Sequence, residues 1–233
     1  MAAVTAQALP ARFGVPLALL ALLLLALLLW QQRPQRTAPQ LQQAVLLARP
    51  VSLGAFQLQD HQGLPVQPAT LQGRWHLLSY GYTYCPDVCP LTLAKLASLQ
   101  QQLASETEFS QPDLLFYSID PKRDSAVELA QYLRYFAADI RGLRPDPQAA
   151  ALAKPFEQAL SLRFNVQNDG VAPDSSDYLV AHGIMLYLLN PDARLQAVFL
   201  PTTRPGVTVP EFDVDVLQAD YLAIRRYLAA RQN

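Results

Sequence analysis

Leu77–Leu103 reads LLSYGYTYCPDVCPLTLAKLASLQQQL. Its first part, Leu77–Tyr84, is apolar and aromatic, the composition of a strand buried on both faces of a sheet. Its last part repeats leucine at 91, 93, 96, 99 and 103, which predicts a helix with one apolar face. Between them stand Cys85 and Cys89, the chain's two cysteines, in TYCPDVCP (83–90). A strand-to-helix junction is where a thioredoxin-like fold carries its active thiols. On a helical backbone a spacing of four puts both sulfurs on one face, and the N–H groups at the helix start favour thiolate over thiol. Thiolate ligates soft metals and also attacks disulfides, so the pair reads as a metal site or as a redox pair. C-x-x-x-C leaves a wider bite for a metal than C-x-x-C does, and a disulfide needs only modest backbone adjustment.

Outward from this segment, strands and helices alternate. Leu53–Leu58 is read as a strand, followed by a turn at Asp60–Gly63, and Leu114–Ile119 as a second strand beside 77–84. Ser125 and Glu128 form a capping box that opens a helix to about Phe136. Pro147–Leu160 is read as a helix with proline in its first turn. Ile184–Leu189 and Leu195–Phe199 flank Asn190-Pro191-Asp192-Ala193 as a hairpin, and Val214–Leu228 closes the chain as an amphipathic helix. The order predicts one α/β domain over residues 45–233, thioredoxin-like, with a mixed central sheet.

Phe13–Trp30, FGVPLALLALLLLALLLW, carries no charge. As a helix it is roughly 27 Å long, enough to cross a bilayer. A cleavable signal peptide would have a shorter apolar core and a small-residue exit, so residues 13–30 are read as an uncleaved transmembrane anchor. Residues 1–12 then form a short cytoplasmic head and 31–44 a polar linker with two prolines. Arg12 precedes the span while Arg33 and Arg36 follow it, so the positive-inside rule leans slightly against that orientation. A net charge of −1 gives no electrostatic reason to expect a nucleic-acid partner.

Two sulfurs leave a soft metal short of ligands, and the imidazole candidates are His61, His76 and His182. His61 sits in an apparent turn and reads as solvated. His76 begins the strand, far from the thiols, and reads as structural. His182 enters a strand of the hairpin, where a satisfied structural histidine and a ligand weigh equally on the residues alone. Met185 reads as core on the face opposite His182. Tyr80, Tyr82 and Tyr84 read as aromatic packing, Asp87 as an exposed turn residue and Asp124 as a helix cap. Asp120 is read either as a strand-end turn residue or as a carboxylate approaching the thiols, and Arg123 as a partner of nearby carboxylates or of another protein.

Three blocks then carry a resemblance. GYTYCPDVCP (81–90), SIDPKRD (118–124) and YLVAHGIMLYLLNPD (178–192) stand in the order and spacing of the SCO/SenC family, membrane-anchored assembly factors for cytochrome c oxidase. They span most of residues 45–230. The resemblance implies that Cys85, Cys89 and His182 bind copper, as Cu(I) or Cu(II), a choice the soft sulfurs and the imidazole suit. Zinc with a water is also compatible with the donor set. It further implies a metallochaperone rather than an enzyme, delivering copper to the binuclear centre of the oxidase's copper-site subunit. The alternative is a thiol–disulfide oxidoreductase that keeps the cysteines of that centre reduced. Either role requires a copper donor or a thiol reductant as partner. The short, arginine-poor head points to a bacterial inner membrane, with the domain in the periplasm. The family usually has aspartate immediately before the histidine; here it is Ala181, which removes a carboxylate able to orient the ring.

Overall fold

The segment from Leu77 folds as strand, loop and helix: His76–Gly81 is a strand buried along its whole length, and Val88–Leu103 is a helix. The computed structural model describes residues 14–31, 38–136, 138–167, 178–203 and 209–232. They fall into two units, Met1–Ala38 and Pro39–Asn233. In the first, Gly14–Gln31 is helical (α1) and has no charged residue. Among the fully described residues, no helix is long and apolar enough to cross a membrane. The head, 1–12, and most of the linker, 32–37, lie outside the described residues.

The second unit runs β1 (Ala44–Ser52), β2 (Leu58–Asp60), β3 (Pro65–Val66), β4 (His76–Gly81), α2 (Val88–Leu103), β5 (Asp113–Ser118), α3 (Ala126–Leu133) and β6 (Ile140–Pro145). It continues with α4 (Lys154–Ala159), β7 (Phe164–Gln167), β8 (Leu179–His182), β9 (Leu186–Leu189), β10 (Arg194–Phe199) and α5 (Val214–Gln232). Eight strands form one sheet in the order β1-β10-β9-β4-β5-β6-β2-β3, and β7 and β8 form a separate ribbon. β4, β5 and β6 are parallel, while β9, β10, β1, β2 and β3 pair antiparallel. The mixed thioredoxin-like sheet is therefore as the sequence reading has it.

Side chains alternate between two cores. Leu77, Leu114 and Phe116 face α2, α3 and α5 through Leu93, Leu96, Leu129 and Tyr221; Leu78, Tyr80, Leu115 and Tyr117 face the other way, toward Phe156, Cys85 and Cys89. Each fully buried leucine in these layers contributes roughly 1.5–3 kcal/mol. Burial on both sides is why β4 lacks a polar alternation.

Several boundaries differ from the sequence reading. Leu53–Leu58 is not a strand; the chain turns at Gly54, φ 72°, between β1 and β2. Pro147–Leu160 is not one helix, because a 3-10 turn at Ala150–Ala153 precedes α4, whose first turn holds Pro155. β6 carries no strand signal in the sequence because Gly142 and Pro145 interrupt it. A Cβ at Gly142 would stand 2.8 Å from Leu133 Cδ1, so helix α3 can approach only a glycine there.

The start of β1 is fixed by α5. Asp220, buried at 2% exposure, accepts the backbone N–H groups of Gln42, Gln43 and Ala44 at 2.7–3.1 Å.

Candidate metal centre

β4 and β5 end side by side, Gly81 opposite Ser118, so the loops that follow them leave the same edge of the sheet. The first loop carries the cysteines. Cys85 is not on the helix: its N–H closes a turn onto the Tyr82 carbonyl at 3.2 Å, and α2 begins only at Val88. Cys89 sits in the first turn of α2. The loop's curl, rather than a shared helical face, brings the sulfurs together. That corrects the spacing argument while preserving its outcome. Both thiols are free and buried, Cys85 at 9% exposure and Cys89 at 3%.

Gly81 makes room for the second of them. A Cβ there would collide with Cys89 Sγ and stand 3.3 Å from the Phe116 ring.

His182 ends β8, on the ribbon, not on the hairpin strand where sequence placed it; β9 starts at Leu186. Its Nδ1 lies 2.8 Å from the Gly183 carbonyl, which can only accept, so Nδ1 carries a proton and Nε2 faces the cysteines. Nε2 lies 3.4 Å from Cys89 Sγ. The Tyr80 and Tyr82 rings flank the imidazole with centroids at 5.5 and 5.9 Å. The three candidate donor atoms, on Cys85, Cys89 and His182, lie within 4.8 Å of one another. Donors about 2.0–2.3 Å from a common ion stand at most about 4.6 Å apart, so the set fits one small metal ion after slight contraction.

The two thiols are unlike. The Cys89 thiol donates to Cys85, with help from His182 and the Asp87 and Cys89 amides, and this outweighs burial to bring Cys85 down to about 4. Cys89 moves up because it keeps the shared proton and is buried. Metal-free protein should therefore hold one thiolate at neutral pH. Followed by ultraviolet absorption, that thiolate should disappear in a single step near pH 4 on acidification. A step near about 8.5, the ordinary thiol value, would contradict the arrangement.

The second loop braces the first. Asp124, fully buried, accepts from the Thr83 amide at 3.1 Å, the Thr83 hydroxyl at 2.6 Å and the Ser118 hydroxyl at 2.6 Å. Burial pushes its pKa up despite these donors. It does not cap α3; Ser125 does, in a complete capping box with Glu128. Asp120 does not turn toward the thiols: it accepts Arg123 Nε at 2.5 Å and the Tyr178 hydroxyl at 2.7 Å.

The SCO1/SenC family model matches residues 47–212. The chain belongs to the SCO1/SenC family. It is 34% identical over 163 residues to the mitochondrial SCO2 homolog of Mus musculus, covering 70% of this chain and 59% of that one. The chain thus spans less than two thirds of that relative's length. Among solved structures, Arabidopsis thaliana ScoI with copper bound superposes with a TM-score of 0.61 at 27% identity, over 74% of this chain and 97% of that one. Yeast Sco1 with copper bound gives 0.60 at 28% identity, over 74% and 90%.

The remaining candidates in this SCO1/SenC domain lie elsewhere or act otherwise. His76 is structural: its Nε2 meets the Leu71 carbonyl at 2.9 Å, at the far end of β4. His61 is less solvated than its turn suggests, since its Nδ1 accepts the Gly142 amide at 2.8 Å. Met185 is not in a strand; it lies in the β8–β9 connection and packs, half-buried, on the core that includes the cysteines. Tyr80 and Tyr82 are buried while Tyr84 is 55% exposed. Ala181 is exposed and alternates with His182 along β8, so its side chain leaves the opposite face of the ribbon. The Gly183 carbonyl serves the orienting part there. Gly81 and Tyr178 are site-building residues that sequence reasoning did not single out, and Asp124 is one that it reads as a helix cap.

Proposed function

We propose that this chain carries one copper ion on Cys85, Cys89 and His182 and passes it to the copper-site subunit of cytochrome c oxidase. The observation that carries this reading is the three-donor cluster within 4.8 Å, in a family whose plant and yeast members have solved structures with copper bound. Copper is cargo here. Two sulfurs suit Cu(I), and the added imidazole makes the set serviceable for Cu(II). Cys89 is nearly inaccessible, whereas His182 is only partly buried. An incoming donor from the partner therefore displaces His182 first, and the thiolates release copper last.

The test is a copper titration of the full chain and its His182→Ala variant. Affinity should fall about 10–100-fold, the scale on which losing even a group that supports a metal ligand is felt. Equal affinity would sink the three-ligand reading.

The same reading includes a membrane anchor at residues 13–30. Leu19, Leu22, Leu23 and Leu28 of α1 are each more than half exposed, a surface that water does not tolerate over such a length. An anchor holds donor and acceptor on one membrane face and raises their effective concentration. We place the domain on the periplasmic side of a bacterial inner membrane, with a copper donor and a thiol reductant as further partners.

One observation favours a second reading, a thiol–disulfide reductase for the oxidase's copper-site cysteines: the asymmetric pair is what such chemistry uses. Cys85 thiolate attacks a target disulfide, releasing one target thiolate. Cys89 then gives up its proton and attacks Cys85 Sγ, which frees the second. The target gains two electrons, and Cys85–Cys89 is left as a disulfide for an external thiol to reduce. Absence of exchange with the disulfide form of the oxidase subunit would eliminate it.

A further inference from the structure

The ribbon that carries His182 is not hydrogen-bonded into the eight-stranded sheet. Its β8 strand is held at the site by side chains. The Tyr178 ring, just before β8, is buried, and Val180 is buried beside it. The Val180 amide donates to the Tyr82 hydroxyl at 3.2 Å. The Tyr178 hydroxyl donates to Asp120 at 2.7 Å, and the Tyr178 carbonyl accepts from Arg123 Nη1 at 2.9 Å. Arg123 also donates through Nε to Asp120, and its side chain is only 8% exposed. Its guanidinium carbon lies 3.6 Å from the Tyr178 ring centroid, 4.9 Å from that of Tyr84 and 5.4 Å from that of Tyr82.

From these contacts we infer that Arg123 is the positioning residue for His182: it locks the ribbon to the cysteine loop and so presets the third metal ligand. The inference rests on the copper reading above and adds a residue that touches none of the ligands. Tyr82 and Tyr84 belong to the loop that bears Cys85; Tyr178 lies four residues before His182. Arg123 is the one side chain among the described contacts that joins all three rings and also bonds the ribbon's backbone. Arginine suits the task and lysine does not. A planar fork can stack on an aromatic face while donating in two directions, whereas an ammonium is a point charge on a flexible stem. Arg123 also tolerates burial because Asp120 balances its charge.

The consequence is selective. Without Arg123 the two cysteines keep their places, because Asp124 and Gly81 hold that loop independently, but His182 spends less time at the site. The full chain should be compared with Arg123→Met and Arg123→Lys in two measurements. In the copper-free protein, amide exchange at residues 179–182 should quicken at least about tenfold in both variants, while β4 and β5 keep wild-type protection. With Cu(II), affinity should fall about 10-fold, and the nitrogen coupling in the electron paramagnetic spectrum should weaken toward that of His182→Ala. Lysine should not rescue either effect. Wild-type exchange at 179–182 in Arg123→Met overturns the inference, as does rescue by lysine. If Arg123→Met does not fold, Tyr178→Phe removes a single hydrogen bond to Asp120, and unchanged ribbon exchange in it and in Arg123→Lys is equally fatal. If wild type and His182→Ala bind copper alike, the ligand reading fails by itself, and the copper-free exchange still decides the role of Arg123.

Discussion

Asp124→Ala should cost about 3–5 kcal/mol of folding stability, because it strands the Thr83 amide and the Thr83 and Ser118 hydroxyls in a buried site. Each donor left without a partner costs about 1–3 kcal/mol, and the three are coupled, so the sum is less than additive. The loss should appear as a lower denaturant midpoint at unchanged slope. The structural reason is the position of Asp124: fully buried, between the end of β5 and Thr83 of the cysteine loop. Asp124→Asn keeps one acceptor oxygen and should recover a large part of the stability, since the hydroxyls can rotate to accept from the new amide. Copper affinity should fall with the first variant even where the protein remains folded, because Thr83 leads directly into Cys85. A midpoint within about 0.5 kcal/mol of wild type for Asp124→Ala, the range of ordinary surface changes, would refute the bracing role.

Gly81→Ala should abolish normal copper binding by a different route. The added methyl takes the space of Cys89 Sγ and presses on Phe116. Overpacking of this kind costs about 1–3 kcal/mol. The soft member of the contact is the cysteine side chain, so it is the sulfur that rotates away. Affinity should drop to the level of Cys89→Ala. The backbone itself imposes no strain, since Gly81 is an ordinary strand residue paired with Ser118. Wild-type copper affinity in Gly81→Ala would mean that the sulfur's place is not set by the missing Cβ.

The central part of the fold was legible because its signals are local. β4 and β5 are apolar runs bounded by turn residues, α2 repeats leucine at helical spacing, and Asn190–Ala193 carries a hairpin turn whose Asn190 side chain accepts the Asp192 and Arg194 amides. The failures are non-local. β6 contains Gly142 and Pro145, and becomes a strand only because β5 and β2 pair with it. FNVQ at 164–167 is too short and too mixed to announce a strand, yet it pairs with the residues ending at His182. Asp124 looks like a helix cap in one dimension, standing just before Ser125-Ala-Val-Glu128. Only tertiary burial, 41 residues from Thr83, makes it the brace of the cysteine loop. The cysteine pair stands out by its residue types and spacing, although the curl of the loop and not a shared helical face brings the sulfurs together. His182 rose above its alternatives through the family resemblance, since nothing local to it distinguishes a ligand from a packed histidine.

The carboxylate that gathers the amides of residues 42–44 has a mechanical meaning. A pull on the chain ahead of Gln42 meets Asp220 on the C-terminal helix before it can begin to peel β1, an edge strand whose register with β10 already shifts between Leu46 and Val51. Load passes from one end of the chain into the other. The pairing of β1 with β10 is thereby spared the load, and shortening α5 past Asp220 would leave that pairing to carry the strain alone.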